Sequence, residues 1–262
     1  MTRWPLLVVL LVLLLPVGGH AQMPAELPAH WQALVAATTE LADPGERAAK
    51  ISTGFLGTAY VADTLGGGAD LPEQLVVRLD AVDCFTLLDY VEALRRSAVP
   101  EEFPRRLIEV RYRDGRIAWE NRRHFFTDWA LAPEGLVVDA TAAVGGKQTR
   151  TAHKQLNRKG VDGLYLAGIA VRERRVQFIP GTALDAAVFA RLRPGDYVGI
   201  YSPDPGLDVT HVGIVVRVDG RLMLRHASSR QAERRVVDSD LAGYLAGKPG
   251  IVVLRPQPLP SL

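Results

Sequence analysis

The stretch at residues 210–228, THVGIVVRVDGRLMLRHAS, constrains the fold more strongly than any other part of this chain. Two runs of β-branched and aliphatic residues flank Asp219 and Gly220, a dipeptide typical of the tight turns that close β-hairpins. The pattern therefore predicts two antiparallel strands. His211 begins the first strand and His226 ends the second, so the hairpin places both histidines at one end, as near-opposite or diagonal neighbours on one face.

Two neighbouring imidazoles can act together in catalysis. One can serve as a general base while the other orients it, which is the part that a buried acid plays in other catalytic triads. The alternative is that two structural histidines coincide on one hairpin. The other histidines of the chain are His20, His30, His124 and His153.

A nucleophile for such a base is offered by Cys84, the only cysteine of the chain. Asp83 directly before it is a good N-cap, and apolar residues follow at helical spacing. These residues are Leu87, Leu88, Val91 and Leu94. Cys84 would then lie in the first turn of a helix, where free N–H groups and the helix dipole favour a thiolate and could hold an oxyanion. The alternative is a small, inert core residue.

The N-terminus predicts export. Arg3 is followed by an apolar run at 6–15, and small residues precede Gln22 at the −3 and −1 positions of a cleavage site. The run is shorter than the span of about 20 residues that crosses a membrane. We therefore interpret residues 1–21 as a signal peptide and expect an exported, periplasmic protein without membrane attachment; the alternative is an uncleaved anchor. In an oxidising compartment, an unpaired cysteine is either buried and inert or reactive.

Composition and missing motifs exclude several classes of function. The formal charge of +2, from 31 Lys+Arg and 29 Asp+Glu, leaves no basic stripe for nucleic-acid binding. Neither H-E-x-x-H nor C-x-x-C occurs, so we predict no metal and no cofactor; the alternative is a site of two histidines and a carboxylate without a recognisable ligand spacing. The glycine run at 65–70 lacks the G-K-[ST] of a phosphate loop, and Ser228 lacks the G-x-S-x-G context of a serine nucleophile.

The coarse pattern predicts one α+β domain over residues 22–262, in which an antiparallel sheet packs against a central helix at 84–96. The predicted strands of this sheet are 197–201, 212–218, 222–226 and 251–254. We also predict an inserted lobe at about 99–180.

Three further elements are predicted from local pattern. Residues 31–50 indicate a helix with a break at Pro44. Residues 106–112 indicate a strand, and residues 164–171 with 174–179 indicate a hairpin-like pair.

Several stretches occur in the order seen in one bacterial family. They are FLGTAY (55–60), DCFTLLDYVEAL (83–94), NRRHFFTDW (121–129), RPGDYVGIY (193–201), HVGIVV (211–216) and LRHASS (224–229). In these motifs the chain resembles the N-acetylmuramoyl-L-alanine amidase-like family, a branch of the NlpC-type papain-like cell-wall hydrolases. The resemblance extends over residues 51–255.

The resemblance implies roles at the matching positions. Cys84 matches the family nucleophile, His211 the general base, and His226 the polar residue that orients this base. Tyr60 matches a tyrosine that lies near the nucleophile and helps the oxyanion site. Ala59 replaces a proline that is common in relatives, which loosens the turn that places Tyr60.

The stretch at 121–129 is peculiar to this branch of the superfamily. The resemblance therefore implies that it shapes the substrate pocket, with Arg123 and His124 as substrate-binding residues. The alternative is a structural segment whose aromatic residues belong to the core and whose Arg123 and His124 lie at a solvated edge.

The fold that the resemblance implies is papain-like and NlpC-type. The implied activity is that of a cysteine amidase, which hydrolyses the N-acetylmuramoyl-L-alanine amide bond of peptidoglycan fragments (muropeptides) through an acyl-enzyme on Cys84. The alternatives are a stem-peptide endopeptidase, an enzyme that transfers an acyl group to a lipid, and a non-catalytic muropeptide-binding module. The presence of both Cys84 and His211 favours a hydrolase, because a degenerate binder commonly loses one of them. The expected partners are peptidoglycan fragments.

Overall fold

The computed structural model describes residues 26–259. The predicted signal peptide at 1–21 lies outside these residues. Between residues 26 and 259, no helix combines the length and the apolar composition that a membrane crossing requires.

The described part of the chain is built from short helices and strands in mixed order. The helices are α1 (Ala29–Ala36), α2 (Pro44–Ser52), α3 (Cys84–Arg96), α4 (Phe103–Arg111), α5 (Thr141–Gly145), α6 (Ala186–Phe189) and α7 (Leu241–Leu245). The strands are β1 (Ala59–Tyr60), β2 (Ala81–Val82), β3 (Val137–Asp139), β4 (Arg150–Leu156), β5 (Arg158–Lys159), β6 (Gly163–Leu164), β7 (Arg172–Pro180), β8 (Tyr197–Tyr201), β9 (Val209–Val218), β10 (Arg221–Ala227), β11 (Val236–Asp240) and β12 (Gly250–Pro256).

An antiparallel sheet of eight strands forms the centre of the fold, in the order β11-β10-β9-β8-β12-β7-β4, with β3 also paired to β12. Side chains alternate between the two faces of each strand. Val212 and Ile214 of β9 therefore belong to the core beneath α3, whereas Val215 belongs to the core that α5, α6 and α7 cover on the other face. The predicted antiparallel sheet against a central helix is confirmed.

The central helix α3 begins where the sequence predicts. Oδ1 of Asp83 accepts hydrogen bonds from the backbone N–H groups of Phe85 at 2.9 Å and Thr86 at 2.7 Å. In return, Oγ1 of Thr86 accepts the N–H of Asp83 at 2.9 Å. These bonds satisfy donors that the first turn of a helix cannot pair internally. The prediction of a helix with Asp83 as its N-cap is confirmed, and Cys84 is its first residue.

The hairpin of β9 and β10 also agrees with the sequence prediction. Asp219 has φ 48° and Gly220 has φ 79°, the left-handed conformation that a tight hairpin turn requires at both central residues. Arg225 pairs with Ile214 across the hairpin, which brings His226 and His211 to the same end.

The stretch at 31–50 is two helices rather than one helix with an internal break. The helix α1 ends at Ala36, and Pro44 is the first residue of α2. The fixed φ of proline suits a first helical position, and Asp43 accepts hydrogen bonds from Gly45 and Glu46 as the N-cap.

The strand predicted at 106–112 is wrong, because most of these residues belong to helix α4. Phe103, Leu107 and Val110 are all buried, and their spacing of four and three residues is that of one helix face. The helical period is visible only when Phe103 is counted with the later residues.

The hairpin predicted from 164–171 and 174–179 is wrong in its pairing. Strand β7 pairs along its length with β4, and the short β6 pairs with β5. Both β4 and β7 come from the segment at 99–180, and they extend one side of the main sheet.

Candidate active site

Cys84 is partly exposed to a cavity of about 320 Å³ at the N-terminus of α3. Burial raises the pKa of its thiol to about 11, and the Asp83 carboxylate acts in the same direction. The nearby backbone N–H groups lower the pKa but do not compensate. The helix end alone therefore does not produce a thiolate, contrary to the sequence expectation, and Cys84 needs a base.

The histidine pair of the hairpin is the candidate for this base. Nε2 of His211 lies 2.9 Å from Nδ1 of His226, with the two rings nearly perpendicular at 89°. Burial, ahead of the neighbouring His226, Lys248 and Arg230, lowers the pKa of His211 to about 3. Burial likewise lowers the pKa of His226 to about 4. Both imidazoles are therefore neutral at physiological pH, and a neutral imidazole can accept a proton.

The hydrogen bonds of the pair continue to a residue that sequence reasoning missed. Nε2 of His226 lies 3.1 Å from Oγ of Ser239 on β11. If Nδ1 of His211 is to accept a proton, its Nε2 must carry hydrogen and donate it to Nδ1 of His226. His226 must then carry its own hydrogen on Nε2, where Ser239 is the acceptor. Ser239 thus ends a chain of hydrogen bonds that is compatible with the tautomer of His211 able to act as a base, because its hydroxyl can accept the hydrogen on Nε2 of His226.

His211 lines the same cavity as Cys84. Within residues 26–259, no hydrogen bond joins the Cys84 thiol to either imidazole. Catalytic hydrogen bonds are commonly long in a protein without substrate and shorten when substrate binds. The cavity is therefore lined by a thiol and by a neutral imidazole, and the imidazole has a second histidine as its hydrogen-bond partner.

The cavity is largely apolar and is lined by four segments of the chain. Its lining residues are Cys84, Phe85, His124, Phe125, Phe126, Tyr165, Leu166 and the run at 207–212. Asp208 holds the last of these segments in place. One of its carboxylate oxygens accepts hydrogen bonds from the backbone N–H and the hydroxyl of Thr127, and the other accepts the N–H of Val209.

A buried asparagine holds the segment that carries Tyr165 and Leu166. The side-chain amide of Asn157 donates to the carbonyls of Leu166 at 3.0 Å and Ile169 at 2.6 Å, and its oxygen accepts the N–H of Leu166 at 2.7 Å. Asn157 adopts a φ of 80°, a left-handed conformation that asparagine tolerates better than most residues. The hydrogen bonds of Asn157 therefore hold this wall of the cavity in place.

Of the two residues predicted to bind substrate, only His124 lines the cavity. Its Nε2 lies 2.8 Å from the carbonyl oxygen of Trp119, and burial lowers its pKa to about 4. Its substrate contact stays a prediction.

The prediction for Arg123 needs correction. Arg123 is 2% exposed, and its guanidinium donates to the backbone carbonyls of Glu109 and Tyr112 and pairs with Glu134. These bonds hold the Arg123 guanidinium inside the protein. Arg123 therefore ties α4 to the loop that follows it. It lies neither in the pocket nor at a solvated edge, whereas Phe126 and Trp129 of the same motif belong to the core.

Tyr60 lies close to the nucleophile. It pairs with Val82 through the parallel strands β1 and β2, two residues before Cys84. Burial raises the pKa of its hydroxyl, as do the adjacent Cys84 and Asp83, so the group remains a neutral donor. Ala59 pairs with Ala81 and also bridges to the backbone of residue 235, so the strand holds the backbone at Tyr60 without a proline.

Tyr244 was missed by the sequence reasoning although it contacts both histidines. Its ring centroid lies 4.7 Å from that of His226 and 6.1 Å from that of His211. It belongs to α7, a single turn of helix whose N-cap is Asp240. The Asp-Leu-Ala-Gly-Tyr sequence predicts a short helix at most, and no local pattern indicates that this helix lies over the hairpin.

Within residues 26–259, no group of three or more His, Cys, Asp or Glu side chains converges as a metal site would require.

Comparisons with known proteins place the chain in a family. Its residues 50–251 match the family described as N-acetylmuramoyl-L-alanine amidase-like. No curated protein matches the chain.

Several solved structures are similar to this chain. An N-acetylmuramoyl-L-alanine amidase from Bacteroides uniformis is 29% identical, over 82% of this chain and 99% of that one, with a TM-score of 0.67. A Bacteroides fragilis protein provisionally named a xylanase is 31% identical over 78% and 98% of the two chains, with a TM-score of 0.63. A Legionella pneumophila protein is 24% identical over 88% and 94%, with a TM-score of 0.73, and shows the fold alone.

The family match and the similarity to the amidase from Bacteroides uniformis support an amidase-like hydrolase. The chain belongs to the N-acetylmuramoyl-L-alanine amidase-like family, as its motifs predict. The mixed fold with an antiparallel sheet is established, whereas its assignment to the papain-like NlpC type stays a prediction.

Proposed function

We propose that this protein is a cysteine amidase that hydrolyses the amide bond between N-acetylmuramic acid and L-alanine in peptidoglycan fragments. The observation that carries this proposal is the hydrogen-bonded pair of His211 and His226 in the wall of the cavity that Cys84 also lines. The family and the amidase from Bacteroides uniformis support the choice of the bond.

The resting site holds a neutral thiol and a neutral imidazole, because the pKa of Cys84 is about 11 and that of His211 about 3. The reaction therefore begins with general-base catalysis rather than with a stored thiolate. As Sγ of Cys84 attacks the carbonyl carbon, its proton passes to Nδ1 of His211. The C–N bond then breaks, and the imidazolium returns this proton to the leaving amino group of L-alanine.

The product of this step is a thioester between Cys84 and the lactyl carboxyl group of the sugar. Water attacks the thioester carbonyl, giving its proton to His211, and the thiol is regenerated when the proton returns to sulfur. The free acid of the sugar and the free peptide are the two products. The backbone N–H of Cys84 at the start of α3 and the Tyr60 hydroxyl can donate hydrogen bonds to the negative oxygen of each tetrahedral intermediate.

The test is mass spectrometry of purified muropeptides after incubation with the protein. An amidase releases the intact peptide that begins with L-alanine. A peptide shortened at an internal bond would indicate the endopeptidase instead. No change with any muropeptide, together with measurable binding, would indicate the binding module. Protein with Cys84→Ser serves as the matched control for contaminating hydrolases.

We also propose that the protein is exported and acts in the periplasm, on the basis of the N-terminal pattern that ends before Gln22. N-terminal sequencing of protein recovered from the periplasmic fraction checks this. A chain that still begins at Met1 and remains with the membranes would contradict it.

A further inference from the structure

A second surface adjoins the catalytic groups outside the cavity. It consists of two tyrosines and three cations: Tyr60, Tyr244, Arg230, Arg234 and Lys248. The guanidinium carbon of Arg234 lies 5.0 Å from the ring centroid of Tyr60. The guanidinium carbon of Arg230 and Nζ of Lys248 lie 5.5 Å and 5.4 Å from the centroid of Tyr244. We call these five residues the cationic rim.

The rim is close to the reacting atoms. Tyr244 packs against both histidines, and Tyr60 pairs with Val82 just before the nucleophile. None of the five residues is among those that line the apolar cavity. Cys84 and His211 are therefore bordered by an apolar cavity and by a positively charged surface that is separate from it.

The cations of the rim are not held in ion pairs within the described part of the chain, although Glu233 lies close enough to act on Tyr244. Arg230, Arg234 and Lys248 form no ion pair with any acid of residues 26–259. The acid of the same loop, Glu233, has a buried carboxylate oxygen without a hydrogen-bond partner and pairs with none of the three. Both arginines are exposed, so their guanidinium groups can reach a ligand.

The backbone of the loop supports a role for the Arg234 side chain. Arg234 has a φ of 47°, a conformation that glycine adopts at little cost and that costs other residues of the order of 1–3 kcal/mol. The N–H groups of Glu233 and Arg234 both donate to the carbonyl of Arg230 at 2.9 Å, so this turn is hydrogen-bonded. The carbonyl of Arg234 accepts the N–H of Tyr60 at 2.9 Å, which holds the backbone of Arg234 beside that of Tyr60.

We propose that the cationic rim binds the carboxylate of an acidic peptide, and that it thereby selects substrates whose peptide side is negatively charged. This inference rests on the proposed amidase function. The sugar then occupies the apolar cavity with its aromatic wall at Tyr165, and the peptide leaves along the rim. Guanidinium groups bind carboxylates well, and their stacking on tyrosine rings limits the conformational freedom lost on binding.

The test compares two disaccharide peptides that differ in one group. One carries D-isoglutamate with its free α-carboxylate at the second peptide position, and the other carries D-isoglutamine, in which an amide replaces this carboxylate. We expect Arg230→Gln, Arg234→Gln and Lys248→Gln each to raise KM for the carboxylate substrate about three- to tenfold, with little change in kcat. The amidated substrate should respond much less to the same variants.

Two variants serve as controls. Arg217→Gln removes the same charge from an exposed position near the far turn of the β9–β10 hairpin and should leave both substrates unaffected. Arg234→Gly removes the side chain but keeps the left-handed backbone, and should match Arg234→Gln. Equal effects of the rim variants on both substrates, or no effect, would overturn the proposal.

Binding to the inactive protein separates this inference from the proposed function. Calorimetry with Cys84→Ser protein should give tighter binding of the carboxylate peptide than of the amidated one, and this preference should shrink about three- to tenfold in the double variant with Arg230→Gln. A protein that shows the preference but releases no peptide would refute the amidase function and keep the rim. Cleavage without any preference would refute the rim and keep the amidase function.

Discussion

At its C-terminal end, helix α3 buries a network of charged groups, whereas at its N-terminal end it presents a single thiol to a cavity. The Glu92 carboxylate pairs with Arg95 and accepts the hydroxyl of Tyr197 at 2.7 Å, and Arg95 also donates to the carbonyls of Leu136 and Gln257. At the other end, Cys84 has a pKa raised to about 11 and forms no hydrogen bond to a histidine in the described structure.

This difference separates polar groups that stabilise the fold from those available for chemistry. In the Glu92 network, the partners of the charges belong to the protein, and cations near the C-terminus of a helix also complement its dipole. Around Cys84 and His211, burial suppresses charge instead of pairing it. A group that is buried, neutral and open to a cavity is poised to exchange a proton when substrate arrives.

The largest effect is expected for Cys84→Ser. The substitution preserves size but replaces the thiol by a hydroxyl that is a far weaker nucleophile, so turnover should fall by about 10⁴-fold or more. Turnover and the thermal midpoint should be measured together. Retained turnover would refute the nucleophile, and a collapsed midpoint with an unchanged rate per folded molecule would make Cys84 a core residue.

Substitution of the two histidines should lower activity by different amounts. His211→Ala removes the base and should approach the loss of Cys84→Ser, whereas His226→Ala leaves a base that is free to turn and should cost less; general acid–base catalysis contributes about 10²–10⁴-fold. Because the residues act as a unit, the double variant should be little worse than His211→Ala. His153→Ala, at an exposed position on β4, is the matched control.

Kinetic constants of the four variants decide this prediction. Full activity of His226→Ala, or losses that simply multiply in the double variant, would contradict the roles given to the pair. His124, which also lines the cavity, would then be the next candidate.

At the other end of α3, Glu92→Gln should damage stability rather than chemistry. Removing one charge of a buried network leaves Arg95 without its partner, which typically costs about 3–5 kcal/mol. Denaturant unfolding should show this loss, while the rate per folded molecule at low temperature stays unchanged. Glu101→Gln makes the same change at an exposed position and should be neutral. Equal stability of the two variants would remove the contrast between the helix ends.

Acid should destabilise the protein through the cavity end of α3. Burial lowers the pKa of His211 to about 3 and that of His226 to about 4, whereas an unfolded histidine titrates near 6.5. Between these values the unfolded chain binds more protons, so stability falls as the pH decreases from about 6.5 towards 4. Unfolding midpoints across this range should decline less steeply in the variant with both histidines changed to alanine. An unchanged slope would contradict the neutral, buried pair.

The elements predicted correctly from sequence are those whose signals are local. Helix α3 has an N-cap, a capping partner at Thr86 and an apolar stripe within one stretch, and the hairpin has its turn dipeptide. Helix α4 was predicted as a strand because the stretch at 106–112 lacks Phe103, the residue that reveals the helical period.

The site was predicted where the chain order itself brings residues together. The turn at Asp219 and Gly220 places His211 beside His226, so their contact follows from the hairpin. The prediction that Arg123 binds substrate was wrong, because the sequence does not reveal that this residue is buried. Its guanidinium donates to backbone carbonyls that only the folded chain brings near it.

The smallest effect is expected for Ser239. This residue lies beside His226, which contacts His211, so it can influence Cys84 only through these two histidines. With Ser239→Ala, an N–H at Nε2 of His226 would be buried without an acceptor, and a bare nitrogen is less costly there. The variant therefore favours His226 with its hydrogen on Nδ1, which forces the hydrogen of His211 onto the nitrogen that should act as base. The loss in kcat/KM should be about three- to tenfold, in keeping with the net value of one hydrogen bond.

Ser239→Thr keeps the hydroxyl on a strand and should restore activity, while Ser229→Ala, at an exposed position, should have no effect. In protein that already carries His226→Ala, the change at Ser239 should cost nothing further. A loss of the same size in that background, or no difference between alanine and threonine at 239, would show that the serine acts by packing and not through the tautomer of His226.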